Sequence, residues 1–231
     1  MNQKRLSHAD NQTRLGWRIA MLSLIGSLAF AATLLALALA GVSDPRPLGM
    51  LKREEQFEDI AAWIALNSKV LAGQNFANGR VTVEPQARLL ITAPFTLHPP
   101  GTAILIAEQQ SGDTTAGYGL WWGEAGASQT IVGVNSDGYL AALKIEADRT
   151  TNILPWRLFP HVRGVGVINK WQVDLDANRV TIWLNDERVT EFAGISSQEL
   201  TVGLYAEASK SGRATFKFDD MTIWESEPQS P

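Results

Sequence analysis

Cysteine does not occur in this chain, which removes disulfides, thiolate nucleophiles and Cys-ligated zinc and leaves packing to stabilise the fold. Histidine is scarce, with three in 231 residues. His8 lies in the polar N-terminal stretch, His98 precedes two prolines and His161 follows Pro160, so sequence neighbours assemble neither a His-rich metal site nor a Ser-His-Asp arrangement. A surplus of one charge is missing as well, because 20 Lys and Arg stand against 24 Asp and Glu. That balance leaves no basic footprint for nucleic acid, and none is expected as a partner. No internal repeat recurs at solenoid or propeller periods.

One long apolar run is present. From Ile19 to Val42 the chain reads IAMLSLIGSLAFAATLLALALAGV, uncharged, with hydroxyls only at Ser23, Ser27 and Thr33, which can bond back to their own helix. Its length and composition are those of a membrane-spanning helix. Lys4, Arg5, Arg14 and Arg18 precede it against the single Asp10, and the stretch after it carries more acid than base. The positive-inside rule then puts the N-terminus in the cytoplasm and the rest outside it, with Trp17 at the interface. Ala38-Leu39-Ala40 before Gly41 also fits a signal-peptidase site, although the apolar run is longer than a secretory h-region. The recurrence of Ser23, Ser27 and Ala31 every four residues offers a seam for a membrane-protein partner.

The expected organisation is a cytoplasmic segment at 1–18, a transmembrane helix at 19–42, a juxtamembrane linker at 43–58, an extracytoplasmic β-sandwich at 59–226 and a disordered tail at 227–231. Pro45, Pro47 and Gly49 mark the linker, and the stretch from Phe57 to Gly73 reads as a short helix or an irregular entry. Beyond Asn78 come short β-branched and aromatic runs bounded by turn signals, among them RVTVEP, TAILIAEQ, YGLWWG, KWQVDLD and ATFKFDDMTIWE. This spacing argues an all-β antiparallel sandwich.

Register is readable where acids crowd between two tryptophans, at KWQVDLDANRVTIWLNDERVTEF. A two-residue turn at Ala177-Asn178 pairs Leu175 with Val180, Val173 with Ile182 and Trp171 with Leu184, so the apolar residues share one face. A second turn at Asn185-Asp186, two residue types that tolerate positive φ, sets Val189 opposite Ile182. The other face then carries the row Gln172, Trp183, Arg188 and the row Asp174, Thr181, Thr190. Asp176, Asn185, Asp186 and Glu187 are accounted for by turn chemistry.

YGLWWG, DGYLAALKI, NKWQVDLDANRVTIWLNDERV and VGLYAEASKSGRATFKFDDMTIWE occur in an order that resembles the concanavalin A-like jelly rolls. The similarity runs from about Gly79 to Glu225, nearest to the laminin-G-like and bacterial 3-keto-disaccharide hydrolase-like domains of unknown function. It implies two curved antiparallel sheets with ligands on the concave face or at edge loops. The same fold carries lectins, glycanases and adhesive modules. The hairpin has Asn185-Asp186 where the family has Asn-Gly, and the Glu-x-Asp-x-x-Glu signature of the glycanase branch is missing.

Glycoside hydrolysis ordinarily uses two carboxyl groups roughly 5 to 9.5 Å apart in one cleft. Asp174 and Asp176 have the spacing for one strand face, but Asp176 is explained by its turn, and no catalytic residue is assigned. No metal or cofactor is assigned either; loop calcium would have to draw on Asp113, Asp137, Asp148 or the 174–178 turn, where no EF-hand-like spacing occurs. The aromatics are more informative. Alternation places Tyr118, Leu120 and Trp122 on one face and Trp121 between two glycines on the other, leaving its ring uncovered. Trp121, Trp183, Gln172, Arg188 and Asp174 are therefore the expected ligand-binding residues, a stacking surface beside planar hydrogen-bonding groups of the kind a sugar needs. The alternative for Trp183 is a surface cation–π pair with Arg188. The expected function is a non-catalytic, membrane-anchored extracytoplasmic recognition module for a glycan or a protein. The alternatives are a glycoside or 3-keto-glycoside hydrolase and an accessory subunit of a membrane complex.

Overall fold

The computed structural model describes residues 3–39, 44–57, 63–65, 78–124, 128–146, 149–194 and 199–226. Most of the stretch 57–73, the tail 227–231 and Asp148 lie outside the described residues. The chain forms two compact units, Met1–Asp44 and Pro45–Pro231.

The first unit is a single helix, α1 (Gln3–Leu39). Within it Ile19–Leu37, of mean hydropathy 2.2, is long and apolar enough to cross a membrane. Nineteen residues at ~1.5 Å rise give about 28 Å, close to the hydrocarbon thickness of a bilayer. Thr33 Oγ1 donates back to the Ala29 carbonyl at 2.9 Å, the internal satisfaction a hydroxyl needs in an apolar surround. The segment 1–18, expected as a separate polar piece, is a continuation of the same helix from Gln3, since no proline, and no glycine before Gly16, interrupts it.

The second unit is all-β. Its strands are β1 (Met50–Glu55), β2 (Ile64–Ala65), β3 (Arg80–Val83), β4 (Arg88–Leu97), β5 (Gly101–Gly112), β6 (Gly117–Gly123) and β7 (Ser128–Asn135). They continue with β8 (Tyr139–Glu146), β9 (Arg149–Leu158), β10 (Asn169–Leu175), β11 (Arg179–Leu184), β12 (Glu187–Ala193), β13 (Leu200–Glu207) and β14 (Ala214–Glu225). Two seven-stranded sheets result. The first runs β1-β14-β5-β10-β11-β12, with β3 also on β14, and the second runs β2-β4-β13-β6-β7-β8-β9. Every pairing among these strands is antiparallel. The alternating apolar residues of both sheets meet in one interlayer core that includes Trp171, Val173 and Leu175 from β10 and Tyr118, Leu120 and Trp122 from β6.

The first hairpin has the expected register, with Leu175 opposite Val180, Val173 opposite Ile182 and Trp171 opposite Leu184. Asn185 and Asp186 form the next turn at φ 51° and 70°. The third strand departs from expectation: Trp183 faces Arg188, but Ile182 faces Thr190 and Thr181 faces Glu191. Val189 and Phe192 both contact the core, and residues three apart on a regular strand point to opposite faces. A bulge that sets two residues against one resolves the conflict. The same spacing recurs between Phe218 and Met221, and a register shift sits there too, between Phe218 and Asp220.

The linker expected at 43–58 also differs. Its Met50–Glu55 part is strand β1 on the rim of the first sheet, with Met50 opposite Glu225, and Phe57 is fully buried. The charged, exposed side chains of β1 read as linker because the backbone ladder along β14, and no apolar pattern, recruits them.

Candidate functional site

The first sheet has its core face occupied, and its outer face carries two lateral rows. One is Trp224, Thr102, Asp174, Thr181 and Glu191; the other is Thr222, Ile104, Gln172, Trp183 and Arg188. A groove of about 220 Å³ lies on this face, lined by Asp174, Asp176, Arg179, Thr181, Trp183, Arg188 and Glu191. Leu48, two residues before β1, closes it. Glu191 reaches the groove only because of the bulge in β12, which turns it outward in the place expected for Thr190.

Asp174 is the centre of the groove. Its Oδ1 accepts from Thr102 Oγ1 at 2.7 Å and from Gln172 Nε2 at 3.0 Å, and its Oδ2 accepts from Trp183 Nε1 at 2.9 Å. Thr102 Oγ1 in turn accepts the Leu48 backbone N–H at 2.8 Å. The Trp183 indole is thus fixed by its N–H, half-buried, on the outer face. Arg188 hydrogen-bonds Glu191, and Arg179 approaches the same carboxylate at 3.8 Å. Asp176 accepts the Asn178 N–H at 2.8 Å, an ordinary turn contact. Three carboxylates against two guanidiniums leave the groove one charge negative.

Of the five residues expected to touch a ligand, Trp183, Arg188 and Asp174 line one groove. Gln172 sits in the expected row, yet it is 1% exposed; it orients Asp174 and is out of a ligand's reach. Trp121 is corrected more fully. It lies on the second sheet, off the interlayer core as alternation requires, but is 1% exposed and packed with Leu90, Ile131, Ala141, Leu143 and Tyr205. Gly203, opposite it on β13, is the reason. A Cβ there would meet Trp121 Nε1 at 2.5 Å, so the missing side chain lets the indole settle against the sheet and donate to the Ile91 carbonyl at 3.2 Å. Trp121 and Trp183 belong to different sheets and form no joint surface. Nor does Arg188 make the cation–π pair with Trp183 that was the alternative to ligand contact; it binds Glu191.

The sequence reading missed Glu191, Arg179 and Leu48. The spacing of three between Val189 and Phe192 was the available signal for Glu191. None existed for Leu48.

The groove offers fixed hydrogen-bonding groups and an aromatic face. An acid catalyst would need a carboxyl kept protonated by its surroundings. The described acid with such an upward shift is Asp220 on β14, raised by burial and by the neighbouring Glu54 and Asp219 charges, and it does not line the groove. Among the described residues no three His, Asp or Glu side chains converge as a metal site. The Asp113 carboxylate accepts from Ser209, Ser211 and Thr115, which hold it well below the usual carboxylate range. A second cavity, of about 440 Å³, opens between the sheets beside the stacked Trp122 and Phe192 rings.

No family model and no curated protein matches the sequence. Solved structures do match. The carbohydrate binding module CBM66 from Bacillus subtilis superposes with a TM-score of 0.56 at 14% identity, covering 71% of this chain and 96% of that one. The carbohydrate recognition domain of Emp47p gives 0.56 at 12%, covering 77% and 97%. The endo-β-1,3-glucanase from Pyrococcus furiosus gives 0.54 at 10%, covering 78% and 97%. At these identities the likeness carries the fold alone.

Proposed function

We propose that this chain, a concanavalin A-like jelly roll behind an apolar helix, is a membrane-anchored recognition module that binds a saccharide in the groove on the outer face of its first sheet. One observation carries the reading: the Trp183 indole is locked by Asp174 next to two guanidiniums and two further carboxylates in one concavity. Sugars present an apolar ring face and a rim of hydroxyls, and a fixed aromatic with planar polar neighbours complements both. Ligand pockets of this kind hold a few placed polar groups around an apolar surface. Two structural neighbours, a carbohydrate binding module and a carbohydrate recognition domain, lend support.

Binding is favoured over hydrolysis because the groove acids are engaged. Asp174 accepts three hydrogen bonds, Glu191 sits between two arginines and Asp176 serves its turn. The side on which the sandwich works is the non-cytoplasmic one, following the basic residues that precede the helix.

The detergent-solubilised full chain on a glycan array is expected to bind a subset of glycans. Trp183→Ala or Arg188→Ala should weaken that binding about tenfold or more, the loss of about 1.4 kcal/mol of contact. Binding that survives both substitutions removes the groove as the site. Release of reducing sugar from the same glycans, abolished by Asp174→Asn, would replace recognition by catalysis.

A further inference from the structure

The groove is partly built by the tether, which limits where its ligand is found. Leu48 belongs to the segment that joins the helix to the sandwich, and its side chain lines the groove while its N–H bonds Thr102, the donor to Asp174. The strand that follows pairs with β14 so that Met50 lies opposite Glu225, and Glu225 lies opposite Gly101, which faces Leu175. The groove therefore sits at the end of the sandwich where the tether enters. From Leu39, the last residue of the helix, to Leu48 is nine residue steps. A fully extended chain of that length reaches at most about 32 Å, whatever arrangement the two units take.

The groove is also small. Its volume of about 220 Å³ lies below the roughly 300–1,000 Å³ of pockets for drug-sized ligands, which suits one sugar ring rather than an oligosaccharide. A millimolar dissociation constant corresponds to only about 4 kcal/mol, the scale expected of a single exposed ring. Such a site stays empty with a dilute soluble sugar. A short tether changes this, because confinement near a surface supplies effective concentrations on the order of millimolar. The net negative charge of the lining disfavours anionic headgroups.

We infer that the ligand is membrane-borne: a neutral single-sugar headgroup of a glycolipid in the bilayer that holds the anchor. This rests on the anchored recognition reading above. The shared chemistry, a neutral hexose ring, also exists free in solution, so the test separates the two sources. The full chain is reconstituted in nanodiscs of phosphatidylcholine alone, of phosphatidylcholine with monogalactosyl or monoglucosyl diacylglycerol, and of phosphatidylcholine with phosphatidylglycerol. Amide exchange is followed over residues 170–193, with β6 and β13 as a check that each variant is folded.

Glycolipid discs are expected to slow exchange in 170–193 roughly tenfold, the factor for a ligand at about ten times its Kd. That protection should disappear in Trp183→Ala and in Arg188→Ala. Equal protection by phosphatidylglycerol overturns the inference. If free methyl galactoside or methyl glucoside protects the segment and glycolipid discs do not, the membrane-borne ligand is refuted while saccharide recognition stands. If no sugar in either form protects it, the membrane-borne hexose is refuted, and the glycan array decides separately whether saccharide recognition stands.

Discussion

Asp174 accepts hydrogen bonds from Thr102 on β5, Gln172 on β10 and Trp183 on β11, and so links three strands through one carboxylate. Removing it strands the Thr102 and Gln172 donors, which have no water to turn to, since these residues are 0% and 1% exposed. Asp174→Ala is expected to cost about 2–3 kcal/mol, the price of leaving buried polar partners unsatisfied, read as a lower urea midpoint at unchanged slope. A loss below about 0.5 kcal/mol, the level of an ordinary surface change, would show that the network only decorates the sheet. At this scale alternation told the face of each expected site residue, and Trp183, Arg188 and Asp174 are where it puts them. Accessibility was not legible. Whether an outward Trp is open depends on what lies opposite, and for Trp121 that is Gly203, 82 residues away in sequence, whose missing Cβ makes the seat.

Strand β12 illustrates how an element settles a conflict between pattern and ladder. Its sequence ERVTEFA has apolar residues three apart, and the bulge brings Val189 and Phe192 to one face at the cost of one unpaired position. Deleting Thr190 leaves ERVEFA, which alternates without interruption, outward Arg188 and Glu191 against inward Val189 and Phe192. The deletion variant is therefore expected to fold with its stability within about 1 kcal/mol of the parent, the span of β-propensity effects in a host sheet. Circular dichroism and thermal melting decide it. Collapse of the fold on deletion would mean that the bulge is required by something other than parity. The hairpin turns needed no such correction, because Asn185-Asp186 tolerates the positive φ that a two-residue connection demands.

In the whole molecule, the segment that leads from the helix is also part of the sandwich. β1 covers the C-terminal half of β14, which otherwise would expose an unpaired edge. A soluble chain beginning at Pro45 is expected to be monomeric, whereas one beginning at Gln56 loses β1 and Leu48 together. The shorter chain should melt at lower temperature and self-associate, as size-exclusion chromatography with light scattering will show; equal behaviour of the two would make β1 a passive rim. The sequence by itself determined the apolar helix, the two-layer antiparallel architecture and the register of the first hairpin, because each follows from local periodicity and turn chemistry acting over a few residues. Tertiary structure alone decided that a charged linker becomes an edge strand, that Trp121 is covered and that Leu48 meets Asp174 in one groove. Those outcomes depend on backbone edges and empty glycine positions supplied by strands distant in the chain, and no local pattern records which strand will lie beside which.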